Sequence, residues 1–454
     1  MKNYLIILLV LAVATACEPT PETAQNPAAT PAESSPRKAS VAEIEEGIRH
    51  YIDRVSELHG GVFPVPYQDD TLLLRLVRVH TEYLSNLGPG RQFACVDLVD
   101  LSGDVYDVDF FLSGKPGSME VTETTVHKLN GKPFYTWKQQ KDKTWKRLPV
   151  KDAGNRLLGV VEGEDRFTFR YEVTLPPGEG TASVWIPVPT SDEFQEVEPL
   201  SVHVHVDDYQ YTTDTAFGNR IFFAQVALGP EEQSIAMDYL VNRKEKSAYS
   251  DPNHPPEDYL GARPLLPVGG RFTGVLQDIL RGREKDPPLM QARAIYDHII
   301  DTVRYRKAGE YGTGDANHAC DALSGNCTEF HSLFISLART AGIPARFAIG
   351  AAIPSDRNEG GIDGYHCWAE FYADDKWWPV DISEANKYSA LATYYFGHHP
   401  ANRIELSRGR NLQLVPPPAS GRVPFFAYPL VEINGKAIPV RTYFSFEREG
   451  PIPL

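Results

Sequence analysis

The sequence predicts a multidomain α+β fold, and three observations carry that reading. Residues 160 to 245 alternate apolar and polar positions over at least five short runs, the period of strands with one buried face. Residues 324 to 350 read as a turn, a helix that opens at Cys327, a sharp stop and a strand. Residues 40 to 155 begin with helical spacing and change to strand spacing after Gly88-Pro89-Gly90. A chain of 454 residues has room for about two to four such units.

The first residues form a targeting segment. Lys2 is a positive start, Leu5 to Val13 an apolar run too short for a membrane helix, and Ala14-Thr15-Ala16 lead to Cys17. This stretch resembles a bacterial lipoprotein signal, with cleavage before Cys17 and lipid on its sulfur; plain secretory cleavage after Ala16 is the rival. Both export the protein. Lipidation at Cys17 implies a membrane anchor in the bacterial cell envelope, facing the periplasm, and Glu18 favours the outer membrane. Residues 18 to 39 hold five prolines and no large apolar residue, the composition of a disordered linker. As a flexible coil it reaches roughly 26 Å.

A small α+β domain is expected at 40 to 155. Ala42, Ile44, Ile48, Ile52 and Val55 space a helix over 40 to 59, and Leu72, Leu73, Leu76, Val79 and Tyr83 a second over 71 to 86. Strands follow at 94–101, 105–112, 118–129 and 134–141. No chemistry is visible in this domain. Residues 160 to 245 read as an antiparallel β-sandwich, with inward sets such as Phe167, Phe169, Tyr171 and Val173. Residues 246 to 404 hold the catalytic core, and 405 to 454 a C-terminal β extension.

Within the core, Pro287 and Pro288 open a helix that ends near Tyr305. Asn326 is a good N-cap and Glu329 stands at capping-box spacing, which places Cys327 at the first helical position. Phe330, Leu333, Phe334, Leu337, Ala338 and Ala341 mark one buried face, and Gly342 with Pro344 stops the helix. A thiol there sits beside unpaired N–H groups and the positive end of the helix dipole, both of which favour thiolate.

A nucleophilic cysteine needs a base, and the base needs an orienting group. Residues 364 to 372 and 376 to 382 form a hairpin if Asp374 and Asp375 are its loop. One face then carries Cys367, Ala369, Phe371, Trp378, Val380 and Ile382; the other carries His366, Trp368, Glu370, Trp377 and Asp381. His366 and Asp381 become diagonal neighbours roughly 7–8 Å apart at the backbone. The roles follow: Cys327 attacks, His366 moves the proton, and Asp381 holds the imidazole.

Residues 325 to 346, with Tyr365-His366-Cys367-Trp368-Ala369-Glu370 and Trp378-Pro379-Val380-Asp381, resemble the three blocks of the transglutaminase-like superfamily, in its Cys, His, Asp order. The resemblance covers about 285 to 400. It implies a papain-like α+β core and a cysteine enzyme working on amide bonds through a thioester, with hydrolysis favoured over acyl transfer to an amine. One departure matters: animal cross-linking members carry a tryptophan upstream of the cysteine, and here none lies between Trp185 and Trp368. The Cys327 N–H supplies one oxyanion donor, and Tyr305 is the candidate for a second. His331, one turn after Cys327, and Trp368 are candidates for supporting contacts behind the triad. A non-catalytic envelope binding or scaffold protein on the same core is the alternative, against which the complete triad argues.

The formal charge of -15 argues against a nucleic-acid partner. The expected partner is a protein or peptide substrate, with periplasmic protein and peptidoglycan stem peptide both open. Beyond Cys17 the cysteines are Cys95, Cys320, Cys327 and Cys367, at spacings that form no dense disulfide framework; a Cys320–Cys367 pair, or none, is open. No cofactor is called for, and no His/Cys spacing suggests a metal.

Overall fold

Helix Val41–Leu58 starts where Ser40 and Glu43 cap it reciprocally, and it buries Ile44, Ile48 and Ile52 along one stripe. In the computed structural model the described residues are 38–68, 70–88, 90–139, 145–149, 159–204, 208–306, 314–387 and 391–450. The leader, the Cys17 lipidation site and all but the last two residues of the 18–39 linker lie outside them.

That helix packs on an antiparallel sheet of seven strands, whose core joins Ile44, Ile48 and Ile52 to Leu74, Val96, Leu98, Val108 and Phe110. The second expected helix is not formed. Residues Asp70–Val79 are a strand, followed by a 3-10 turn at Thr81–Tyr83 and a short strand at Ser85–Gly88. The physical reason is a bulge. The strand's register against Arg91–Val99 shifts between Leu76 and Arg78, so Leu76 and Val79 both face helix Val41–Leu58 although three positions separate them, while Val77 packs on the opposite side of the sheet in the core cluster. An interrupted strand thereby mimics helical spacing.

The sandwich comprises two five-stranded sheets, and it draws on more of the chain than 160 to 245. Strand Arg441–Arg448 pairs with Glu164–Leu175, and Leu430–Ile433 pairs with Thr181–Val188. Strand Glu359–Ile362 pairs with Arg441–Arg448. The C-terminal residues are therefore inner parts of both sheets and not a separate extension. Phe444 and Phe446 join Phe167, Phe169 and Tyr171 in that core.

The third unit centres on helix Cys327–Thr340, laid on a four-stranded sheet in the order Lys376–Val380, His366–Ala373, Ala345–Ala352, Arg403–Arg408. The last strand runs four residues past the expected boundary at 404. Ala351, Ile353, Ile404 and Leu406 of this region are packed into the sandwich core. Helix Pro288–Thr302 packs against the Cys327 helix, in one apolar cluster with it. Irregular chain was expected between 306 and 326; a short helix, Ala316–Ala322, lies within it. The whole is a multidomain α+β fold, as the sequence predicts.

Candidate active site

Local chemistry fixes the start of the Cys327 helix. Asn326 Oδ1 accepts the Thr328 N–H at 2.9 Å, and Glu329 Oε2 accepts the Asn326 N–H at 3.0 Å. Glu329 Oε1 also accepts the Gly314 N–H at 2.9 Å. Gly325 is required by space: a Cβ there would lie 2.4 Å from Glu329 Cβ. Thirteen of the fourteen helical residues are buried. At the far end Arg339 donates to the Ala345 carbonyl at 2.7 and 3.0 Å, tying helix to strand.

The hairpin pairs in the expected register. Ala373 faces Lys376, Phe371 faces Trp378 and Ala369 faces Val380. Asp374 and Asp375 both have positive φ, the geometry of a type I′ turn. All six residues of the expected core face are buried in the cluster under the Cys327 helix. The polar face is buried too, which alternation alone does not foretell. Glu370 there is locked between Lys246 and Arg346 at 2.9 and 2.7 Å. Asp381 leaves the ladder and heads helix Ile382–Lys387, where its Oδ1 accepts from Ser383 Oγ and the Glu384 N–H.

The three expected catalytic side chains meet at this point. His366 Nε2 lies 2.6 Å from Asp381 Oδ2, which leaves Nδ1 for the sulfur. The Cys327 sulfur stands against both the His366 ring and the Cys367 thiol. Burial by itself raises the Cys327 pKa, but the neighbouring Cys367 thiol and the His366 imidazolium override it and hold the thiol well below its ordinary value. Burial lowers His366, and the charge and hydrogen bond of Asp381 override that, lifting the imidazole to about 9. Asp381 is likewise pushed up by burial and pulled lower on balance by the His366 charge and hydrogen bond and by Arg403. The resting site is a thiolate–imidazolium pair backed by a carboxylate. The Cys327 N–H, first in its helix, has no intrahelical acceptor.

The supporting candidates divide. His331 Nδ1 donates to the Cys327 carbonyl at 2.7 Å, and its Nε2 accepts the Ile382 N–H at 3.1 Å. Both ring nitrogens are used, and burial lowers its pKa, so it is a neutral clamp from the Cys327 helix to the residue after Asp381. Trp368 stacks 4.2 Å from His399 and stands 6.3 Å from His366, centroid to centroid; it packs behind the site. Tyr305 pairs with Gly325, Lys387 Nζ lies 4.2 Å from its ring centroid, and its hydroxyl is lifted to about 12 by burial and then by the Cys327 charge. Two residues escaped the sequence reading. Tyr365 accepts from Asn326 Nδ2 at 3.0 Å, and Cys367 contacts Cys327 although it was assigned to the core face. Their adjacency to His366 was the available signal.

Comparison with known proteins bears on the same segment. Residues 276–382 match the model of the transglutaminase-like superfamily. These residues form a transglutaminase-like domain. A curated protein of Haemophilus influenzae, described as uncharacterized, is 27% identical over 318 residues, covering 59% of this chain and 85% of its own length. A solved structure from Cytophaga hutchinsonii, titled as a candidate cysteine protease, is 15% identical with a TM-score of 0.42, covering 63% of this chain and 99% of its own. A candidate protease from Parabacteroides distasonis is 13% identical with a TM-score of 0.22, covering 64% of this chain and 63% of its own. The transglutaminase-like match supports a cysteine enzyme.

Proposed function

We propose that this protein is an exported, lipid-anchored cysteine enzyme that cleaves amide bonds in proteins or peptides of the bacterial envelope. The observation that carries the reading is the buried Cys327–His366–Asp381 cluster at a capped helix N-terminus. The Cys327 thiolate attacks the amide carbonyl, and its own N–H, aided by the Tyr305 hydroxyl, faces the developing oxyanion. His366 gives its proton to the leaving amine, and a thioester remains on Cys327. A water molecule then loses a proton to His366, attacks the thioester, and releases a carboxylic acid and the thiolate. Water is favoured over an amine acceptor because the upstream tryptophan of the animal cross-linking enzymes has no counterpart between Trp185 and Trp368. The Cys17 lipid and the 18–39 linker would hold the enzyme on the outer membrane, in reach of periplasmic proteins and peptidoglycan stem peptides.

The test is incubation with envelope peptides and intact-mass spectrometry, with Cys327→Ala as control. An acyl adduct on Cys327 that water discharges is expected. If Cys327 alkylates no faster than a free thiol at neutral pH, and His366→Ala changes nothing, the scaffold reading replaces this one.

A further inference from the structure

The N-terminal sheet carries a second buried polar centre, far from any role in the reaction above. One face of the sheet is apolar, with Ala94, Val96, Leu98, Tyr106, Val108 and Phe110 turned toward helix Val41–Leu58. Alternation sends Cys95, Asp97, Asp107 and Asp109 to the other face. The strands pair Cys95 with Asp109 and Asp97 with Asp107, so these four form a compact square. Helix Pro288–Thr302 of the core reaches this face through Arg293, which meets Asp97 Oδ2 at 2.9 Å. His80 and His127 flank the square. No His/Cys spacing in the sequence pointed here, yet His80, Cys95 and Asp107 bring their ligand atoms within 4.8 Å of one another, and so do Cys95, Asp109 and His127.

The second set is the one prepared for a ligand. In the first, His80 Nε2 is already bonded to Asp97 Oδ1 at 2.8 Å. In the second, one residue holds both partners of the thiol from behind. The Tyr135 carbonyl accepts from His127 Nε2 at 3.0 Å, and the Tyr135 hydroxyl donates to Asp109 Oδ2 at 2.7 Å. A neutral imidazole with its proton on Nε2 presents a bare Nδ1, which lies 3.6 Å from Asp109 Oδ1. Outer hydrogen bonds of this kind orient metal ligands. The backbone contributes as well. Asp107 pairs with Lys128 and Val108 with Val126, so His127 is the extra residue of a bulge, a device that re-aims a side chain. Cys95 is 4% exposed and in no disulfide, and no described residue hydrogen-bonds its sulfur.

We propose that Cys95 Sγ, Asp109 Oδ1 and His127 Nδ1 bind a divalent cation of the zinc class. One thiolate, one imidazole and one carboxylate are a zinc donor set, and three protein ligands leave a fourth position for water. His127 is the most exposed of the three, so that position opens on its side. Binding releases the Cys95 proton to solvent as the S–metal bond forms. The charges then cancel: Asp97, Asp107, Asp109 and the thiolate against Arg293, Lys128 and the ion. A proton on one imidazole reaches the same sum with the thiol intact, and the experiment separates the two.

The full chain is prepared with Cys327→Ala, so that the catalytic thiol cannot take the ion, then stripped of metal and dialysed against Zn2+ and, separately, Co2+. The expected result is one ion per chain by elemental analysis and, with cobalt, a thiolate-to-metal charge-transfer band. Cys95→Ser abolishes the band. Tyr135→Phe, which spares all three ligands, weakens binding roughly 10- to 100-fold, and His127→Ala weakens it at least as much. The site is overturned if the parent protein retains no zinc, if His127→Ala retains it equally, or if His80→Gln abolishes binding while His127→Ala does not.

Discussion

Asp381→Asn isolates the electrostatic support of the thiolate. Asparagine keeps an oxygen for the Ser383 hydroxyl and the Glu384 N–H, so the head of helix Ile382–Lys387 survives while the charge goes. His366 rises from 6.5 to about 9 in the native protein. At 1.36 kcal/mol per pH unit that is about 3 kcal/mol in favour of imidazolium, achieved against burial, which pushes the other way. The largest favourable contribution is the Asp381 charge, followed by its hydrogen bond and by Cys327. Without the carboxylate, burial pushes the imidazole back toward its neutral form. Cys327 then loses its counter-charge, and its pKa moves back up. If Asp381 supplies between half and all of the net preference, the equilibrium between the thiolate–imidazolium pair and the neutral pair moves roughly 20- to 300-fold toward the neutral form.

The assay is the rate of alkylation by iodoacetamide against pH, in protein whose only other change is Cys320→Ser. Native protein should react fast from mildly acidic pH upward, because the thiolate persists once Cys327 has titrated. In Asp381→Asn the reactive limb should begin at higher pH and converge with the native curve when both thiols are ionised. Amide turnover adds the other limb: activity that needs imidazolium is lost as pH rises through about 9. Superimposable alkylation curves for the native and Asp381→Asn proteins would refute the argument.

Two further perturbations probe the same site. Cys367 is held above its ordinary value by burial and then by its contact with Cys327, so it stays a thiol and donates. Cys367→Ala removes a donor worth about 1 kcal/mol, slowing alkylation at pH 6 roughly fivefold with no change above pH 9, and an unchanged rate at pH 6 would sink the idea. Gly325→Ala drives a methyl into Glu329 Cβ at 2.4 Å and should cost about 1–2 kcal/mol through the broken capping box, seen as a lower Tm and slower alkylation. Gly261→Ala, where a Cβ meets nothing within 4 Å, is the control that should leave both unchanged.

The catalytic neighbourhood was legible because its determinants are local. A cap at Asn326, a partner at Glu329 and a two-residue turn at Asp374-Asp375 are sequence signals with a fixed geometric outcome, and the hairpin register followed from six apolar positions. Tertiary decisions were less visible. The strand at Asp70–Val79 is rich in leucine and arginine, residues that favour helix, and only pairing with its neighbours, across a bulge, makes it sheet. The sandwich is closed by strands nearly 200 residues downstream of its first half, and pattern alone does not say which sheet an added strand will join. Cys367 illustrates a finer loss. Alternation assigned it to the apolar face correctly, but that face is the one the Cys327 helix lies on, so the thiol reaches the sulfur from the core side.

The polar centre around Cys95 was hidden by the same alternation that exposed the hairpin. Cys95 and Asp97, Asp107 and Asp109, stand two apart on strands whose other positions are apolar. Read singly, each strand is half-buried with its polar side toward water. The structure buries both faces, because helix Val41–Leu58 covers one and helix Pro288–Thr302 reaches the other. Three aspartates at zero exposure are costly unless cations neutralise them. Arg293 of the core supplies one such cation and Lys128 of the sheet another. The domain in which the sequence showed no chemistry is therefore joined to the transglutaminase-like core by a buried ion pair, through a helix that shares a core cluster with the Cys327 helix. An ion bound at Cys95 would sit two residues along the strand from Asp97, the partner of Arg293, so its presence should be read in the stability of the core as well as of the sheet.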